Sequence, residues 1–138
     1  MESQFQFQFD PVNRLLVCRA SGVVTDKSLR EFYRLVGKYV ALTDPGAGIA
    51  DLSGVTSLRA SPETIRALAG SPPPLSDPKV PRYLVATSDH VFAMCRMFEL
   101  QGERTRPLLR VVRTLAEAYE LLDIQEPQLE PVSDQNGP

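Results

Sequence analysis

"ADLSGVTSLRASPETIRALAG", residues 50–70, decides the fold. Ile49 to Leu52 is a short apolar run broken only by Asp51, the pattern of a parallel strand covered on both faces. Ser61-Pro62-Glu63 is a helix start by chemistry: a hydroxyl to cap, a proline at the first helical position, and an acid beside it to meet the helix dipole. Gly70 ends that helix. Strand, turn and helix within about twenty residues make half of a crossover unit.

Working outward, the same alternation recurs. Gln4 to Phe9 (QFQFQF) alternates polar and apolar, Asp10-Pro11-Val12-Asn13 is turn chemistry, and Leu15 to Ala20 is a second strand, so the chain opens on an antiparallel hairpin. Gly22 is read as the point where the chain leaves the sheet. Thr25 caps a helix whose Leu29, Phe32, Tyr33, Val36 and Val40 share one face, and Asp44-Pro45-Gly46 stops it. Beyond Gly70, three consecutive prolines (72–74) exclude helix and central strand alike. Arg82 to Ala86 is the next strand, Ser88 or Asp89 caps a third helix, Leu108 to Val112 is a fifth strand, and Thr114 with Glu117 forms a capping box for the last helix. The predicted fold is α/β, in the order ββαβαβαβα: a five-stranded, mixed but mostly parallel sheet with four main helices. Residues 1–124 form one domain, and the proline-rich, polar residues 125–138 are expected to be a disordered tail.

Composition narrows the function classes. With 138 residues and 43% apolar content, the chain is long enough for one core. A net charge of −2 carries no basic footprint for nucleic acid. No apolar run reaches the roughly 20 residues of a membrane span. MESQFQFQFD has neither a basic nor a continuous apolar stretch, so no signal peptide is expected. Two cysteines, Cys18 and Cys95, are too few for a disulfide framework, and a cytoplasmic location is the expectation.

The element order, together with ADLSGVTSL after the first long helix, resembles the STAS domain, the SpoIIAA-like fold of anti-sigma factor antagonists. The nearer resemblance is to a SpoIIAA-like STAS/Sec14 group of small bacterial proteins. Three further segments carry it: FDPVNRLLVCRASGVVT (9–25), VFAMCRMFEL (91–100) and LRVVRTLAEAYELL (109–122). The resemblance covers roughly Phe5 to Ile124. It implies a binding or regulatory domain rather than an enzyme. The antagonists carry Asp-Ser-Ser-Gly with the phosphorylated serine at a helix N-terminus, where this chain has Arg59-Ala60-Ser61-Pro62. The phosphorylated position aligns with Ala60. Ser61 is the one regulatory serine candidate, and capping accounts for it without a kinase.

Few residue sets offer chemistry. Ser88-Asp89-His90 are adjacent and cannot converge as a hydrolase triad does. One histidine and two distant cysteines give no metal spacing, and no cofactor is expected. Gly46-Ala47-Gly48 precedes a strand and lacks the lysine of a phosphate loop. Arg104, Arg106, Arg110 and Arg113 are the densest basic cluster, either contacts for an anion or the solvated guard of an edge strand. In the third helix, Val91, Met94, Cys95 and Phe98 make the core face, with Arg96, Glu99 and Gln101 as its polar positions. Phe92, Arg96, Met97 and Leu100 then form a surface covered by a ligand, a second subunit or the proline loop. The leading expectation is a non-catalytic domain acting through protein–protein association, as a homodimer. A carrier or sensor of a small apolar, lipid-like molecule and a phosphorylation-regulated antagonist are the alternatives.

Overall fold

The computed structural model describes residues 4–132. The elements run β1 (Phe5–Asp10), β2 (Leu15–Thr25), α1 (Asp26–Thr43), β3 (Ala47–Arg59), α2 (Pro62–Ala69), β4 (Arg82–Val85), α3 (Asp89–Gln101), β5 (Leu109–Val112), α4 (Leu115–Leu121) and β6 (Glu130–Pro131). They build one sheet in the order β5-β4-β3-β2-β1-β6. The β2–β3, β3–β4 and β4–β5 pairs are parallel, and β1 is antiparallel to both β2 and β6. The α/β class, the mostly parallel sheet and the four helices are as the sequence predicts.

The caps form as the sequence chemistry dictates. Thr25 and Ser28 make a reciprocal capping box at α1, Asp44 closes that helix in the left-handed conformation, and Ser61, Ser88 and Thr114 cap α2, α3 and α4 through their side chains. The strands depart from expectation in three places. Gly22 does not end β2; its φ of +74° sits within the strand, beside an irregularity in the β2–β3 register, so glycine serves a bulge. β3 does not stop at Leu52 but runs to Arg59, because Val55 and Leu58 pack onto the core. And the segment read as a disordered tail adds a sixth strand. Val132 donates its amide to the Phe7 carbonyl, the Gln128 amide reaches the Asp10 carboxylate at 2.8 Å, and Leu129 packs beside α4. Three prolines hid this strand, yet an edge strand tolerates proline. Residues 133–138 lie outside the described part of the chain.

Alternation along the strands divides the core. Leu15 and Val17 of β2, Ala47 and Ile49 of β3, Val85 and Val112 face α4. Leu16, Cys18 and Ala20, from the same β2, face α1 with Phe7, Phe32 and Tyr39. Phe7 stacks on Tyr39 at 4.2 Å between ring centroids, an offset pair that fixes how α1 lies on the sheet. Ala86, Val91 and Cys95 continue this second layer under α3.

Candidate functional site

On the face covered by α1, α2 and α3, packing is incomplete. A cavity of about 160 Å³ lies between the sheet and these helices. Its floor is β2 and β3 (Leu16, Cys18, Ala50), and its walls are α1 (Phe32, Val36) and α3 (Met94, Phe98). Folded interiors carry few voids larger than a water molecule. An apolar cavity of about 150 Å³ stays dry and takes a benzene-sized molecule. This space is therefore large enough to receive a ligand and too apolar to hold water well.

One end of the cavity is closed by the proline-rich segment 71–80, whose Pro74 and Leu75 line it. Three polar side chains hold that segment by its backbone. Arg82 donates from Nη1 to the Leu75 carbonyl at 2.7 Å, from Nη2 to the Asp77 carbonyl at 2.5 Å and from Nε to the Val80 carbonyl at 3.1 Å. Tyr33 donates to the Pro72 carbonyl at 2.9 Å. Arg106 donates to the Tyr33 hydroxyl and to the carbonyls of Ser71, Leu68 and Ala69. Its guanidinium also lies 4.8 Å from the Phe98 ring centroid, a cation–π contact. Burial pulls the Arg82 guanidinium below its usual range, and the like charge of Arg106 adds to this. Burial raises the Tyr33 phenol, opposed by Arg106.

The residues expected to form a site are scattered. On α3, Phe92 and Met97 are half-buried, and Arg96 and Leu100 are exposed. The Arg113 guanidinium lies 3.9 Å from the Phe92 ring centroid, so that ring is covered by its own chain. Glu99, one of the polar positions of α3 by sequence, is buried and paired with Arg96 at 2.5 Å. The arginines do not act as one cluster: Arg104 is exposed, Arg110 bonds the carbonyls of Pro107 and Leu109, and Arg106 is buried against the cavity. Ser61 accepts the Thr64 amide at 3.2 Å and donates its own amide to Asp26 at 2.7 Å, while the aligned Ala60 is buried. The His90 ring nitrogen meets the Leu58 carbonyl at 3.1 Å. Missed in the sequence was Arg82, whose membership of a strand concealed that its side chain turns back onto the proline loop.

Asp51, nearly fully buried, pairs with Arg19 at 2.5 Å across β2 and β3 and accepts the Ser53 amide. Cys18 and Cys95 are free and buried, and burial pushes the Cys95 thiol up to about 12 and the Cys18 thiol higher still. Neither is a nucleophile near neutral pH. Among the described residues no group of three or more His, Cys, Asp and Glu side chains is placed to hold a metal ion, and no helix is long and apolar enough to cross a membrane.

No protein-family model matches the chain, and no curated protein matches its sequence. Solved structures do match in shape. The anti-sigma factor antagonist SpoIIAA in its unphosphorylated form superposes with a TM-score of 0.56 at 13% identity, covering 86% of this chain and 97% of that one. The Bacillus cell fate determinant SpoIIAA in its phosphorylated form gives a TM-score of 0.52 at 14% identity, covering 86% and 98%. The resemblance read from the four sequence segments is thus matched in three dimensions: the chain has the SpoIIAA-like STAS fold.

Proposed function

We propose that this chain is a non-catalytic STAS-type binding domain that holds a small apolar molecule between its sheet and helices α1, α2 and α3. The observation that carries this reading is the cavity of about 160 Å³ with its apolar walls. The side chains that line it lack contact partners on the cavity side. An occupant that fills it recovers those contacts. The two free, buried thiols suit a reducing compartment. Native mass spectrometry of gently purified protein tests the reading. A retained small hydrophobic adduct, or a rise in melting temperature on adding toluene, is the expected result. A bare chain that toluene leaves unmoved overturns it.

A second reading is association with another protein, including a second copy of this chain, through α3. Leu100 is 56% exposed there and favours it, as does likeness to a protein described as an anti-sigma factor antagonist. The chain-covered Phe92 makes this patch smaller than the helix sequence implies. Leu100→Glu converts a dimer to a folded monomer if α3 is the interface. An unchanged sedimentation profile counts against it. Phosphorylation at Ser61 is the least supported alternative, since its hydroxyl and amide are both engaged at the start of α2. Phosphopeptide mapping that finds Ser61 unmodified agrees with this.

A further inference from the structure

The proline-rich segment that closes one end of the cavity is fixed at its ends and loosely held between them. At one end the Ser71 amide reaches the Leu68 carbonyl, and at the other the Pro81 carbonyl accepts the Gly48 amide. Pro72, Pro73, Pro74 and Pro78 have no amide hydrogen to give. Among the described residues, the one backbone–backbone bond made within 72–79 is local, from the Val80 amide to the Asp77 carbonyl. No residue from 71 to 80 is buried. No sheet or helix ladder therefore holds this segment in place.

Side chains hold it instead. Arg82 spends all three nitrogens on the carbonyls of Leu75, Asp77 and Val80, and Tyr33 holds that of Pro72. A guanidinium gripped by carbonyls has given up its water and gained no counter-charge, so desolvation offsets much of each bond. The same burial pulls the Arg82 guanidinium below its usual range. Opening the segment would return water to it. The apolar hold is small as well: Pro74 and Leu75 are the residues of the segment that reach the cavity. Leu75 has its seat on β3 because Gly48 has no side chain; a Cβ there would lie 3.2 Å from Leu75 Cδ1.

We propose that residues 71–80 are a strap that opens and closes the cavity, swinging between Gly70 and Pro81 while the sheet and helices stay in place. Leu75 is its plug and Arg82 its latch. The proposal rests on reading the cavity as a ligand site. The prolines keep the strap stiff, so it moves as one piece and gains little disorder on opening.

Cys18 and Cys95 report on the strap without any ligand, since both are free, buried and in the cavity wall. A thiol so placed reacts with methyl methanethiosulfonate once solvent reaches it. Labelling of the intact chain is followed by mass spectrometry at urea concentrations below the unfolding transition. The expected opening depends on urea much less than global unfolding does. Arg82→Gln should speed labelling about tenfold, the loss of one net hydrogen bond, with the urea dependence still small. Toluene should slow it by occupying the closed form. Labelling that matches global unfolding in rate and urea dependence overturns the strap. So does an Arg82→Gln chain that labels no faster than the unaltered one. Toluene without effect on a strap that does open overturns the ligand reading and leaves the motion standing. Should Arg82→Gln fail to fold, Tyr33→Phe removes the tie to Pro72 and should give a smaller acceleration of the same kind. An unchanged rate there counts against the strap.

Discussion

The two faces of the sheet are made from alternate residues of the same strands, yet they are filled differently. Toward α4, Leu15, Val17, Val85 and Ala118 are completely buried. Toward α1 and α3, their neighbours Leu16, Cys18 and Leu84 surround a cavity. The second face also buries two arginines, Arg82 and Arg106, in the wall of that cavity. Stability can thus be concentrated on one side of a sheet so that the other can be left hollow. Binding regions are drawn from the less stable parts of a fold for the same reason.

Substitutions on the two faces can break this contrast. Leu15→Ala should be the most damaging, costing about 3–5 kcal/mol, as full burial among close neighbours demands. Leu16→Ala, one residue along but beside existing free space, should cost about 2 kcal/mol, because its side chain already lacks neighbours on one side. Urea titrations of both variants give the comparison; equal losses would show that the hollow face is packed as tightly as the other.

Asp10→Ala comes next, at about 2–3 kcal/mol. This carboxylate is fully buried at the end of β1 and accepts from the Val12 and Asn13 amides, the Asn13 side chain and the Gln128 amide. Burial raises its pKa, but the bond from Asn13 and those from Gln128 and Val12 outweigh it and leave the group below the ordinary carboxylate range. A depressed folded pKa means stability present above the unfolded value of about 3.9 and lost as pH falls through the folded one. The gap between wild type and Asp10→Ala should therefore be full at pH 7 and close below about pH 4. Truncation after Gln125 removes Leu129 and the Gln128 bond from the dense face, and should lower stability by about 1–2 kcal/mol in the same titration. A truncated chain that melts with the intact one would return the segment to the status of a loose tail.

Cys18→Ile should be the mildest change. Cys18 lies on the cavity floor, and isoleucine suits a strand, so the added carbons enter free space. Stability should stay within about 0.5 kcal/mol or rise, while binding of an apolar ligand is lost. A loss of several kcal/mol would mean that the floor cannot accept the extra volume.

Most of the fold was legible because its signals are local. Thr25, Ser61, Ser88 and Thr114 announce their helices through hydroxyls that need only the next three residues. The alternation of Leu15, Leu16, Val17 and Cys18 implies a strand buried on both sides. β6 was illegible because its pairing with β1 depends on a contact between Gln128 and Asp10, 118 residues apart, and no periodicity reports that. The site was less legible still. Arg106 was grouped with Arg104 and Arg110 by position, but the chain buries one and exposes the others. Nor does a space between layers leave any mark in composition, since the residues around it are ordinary core types. Glu99 shows the reverse error: polar by type, it is buried with a partner three residues before it.

The pairing of β6 with β1 also bears on how the chain is born. β1, with Phe5, Phe7 and Phe9 along it, is made well before β6, and the outer-edge pairing it makes with β6 must wait until residues 128–132 are made. At synthesis rates of about 5–20 residues per second, that edge waits on the order of ten seconds. During that interval a half-built sheet offers an aromatic strand to any neighbouring nascent chain. The Val132 amide reaching the Phe7 carbonyl closes that window.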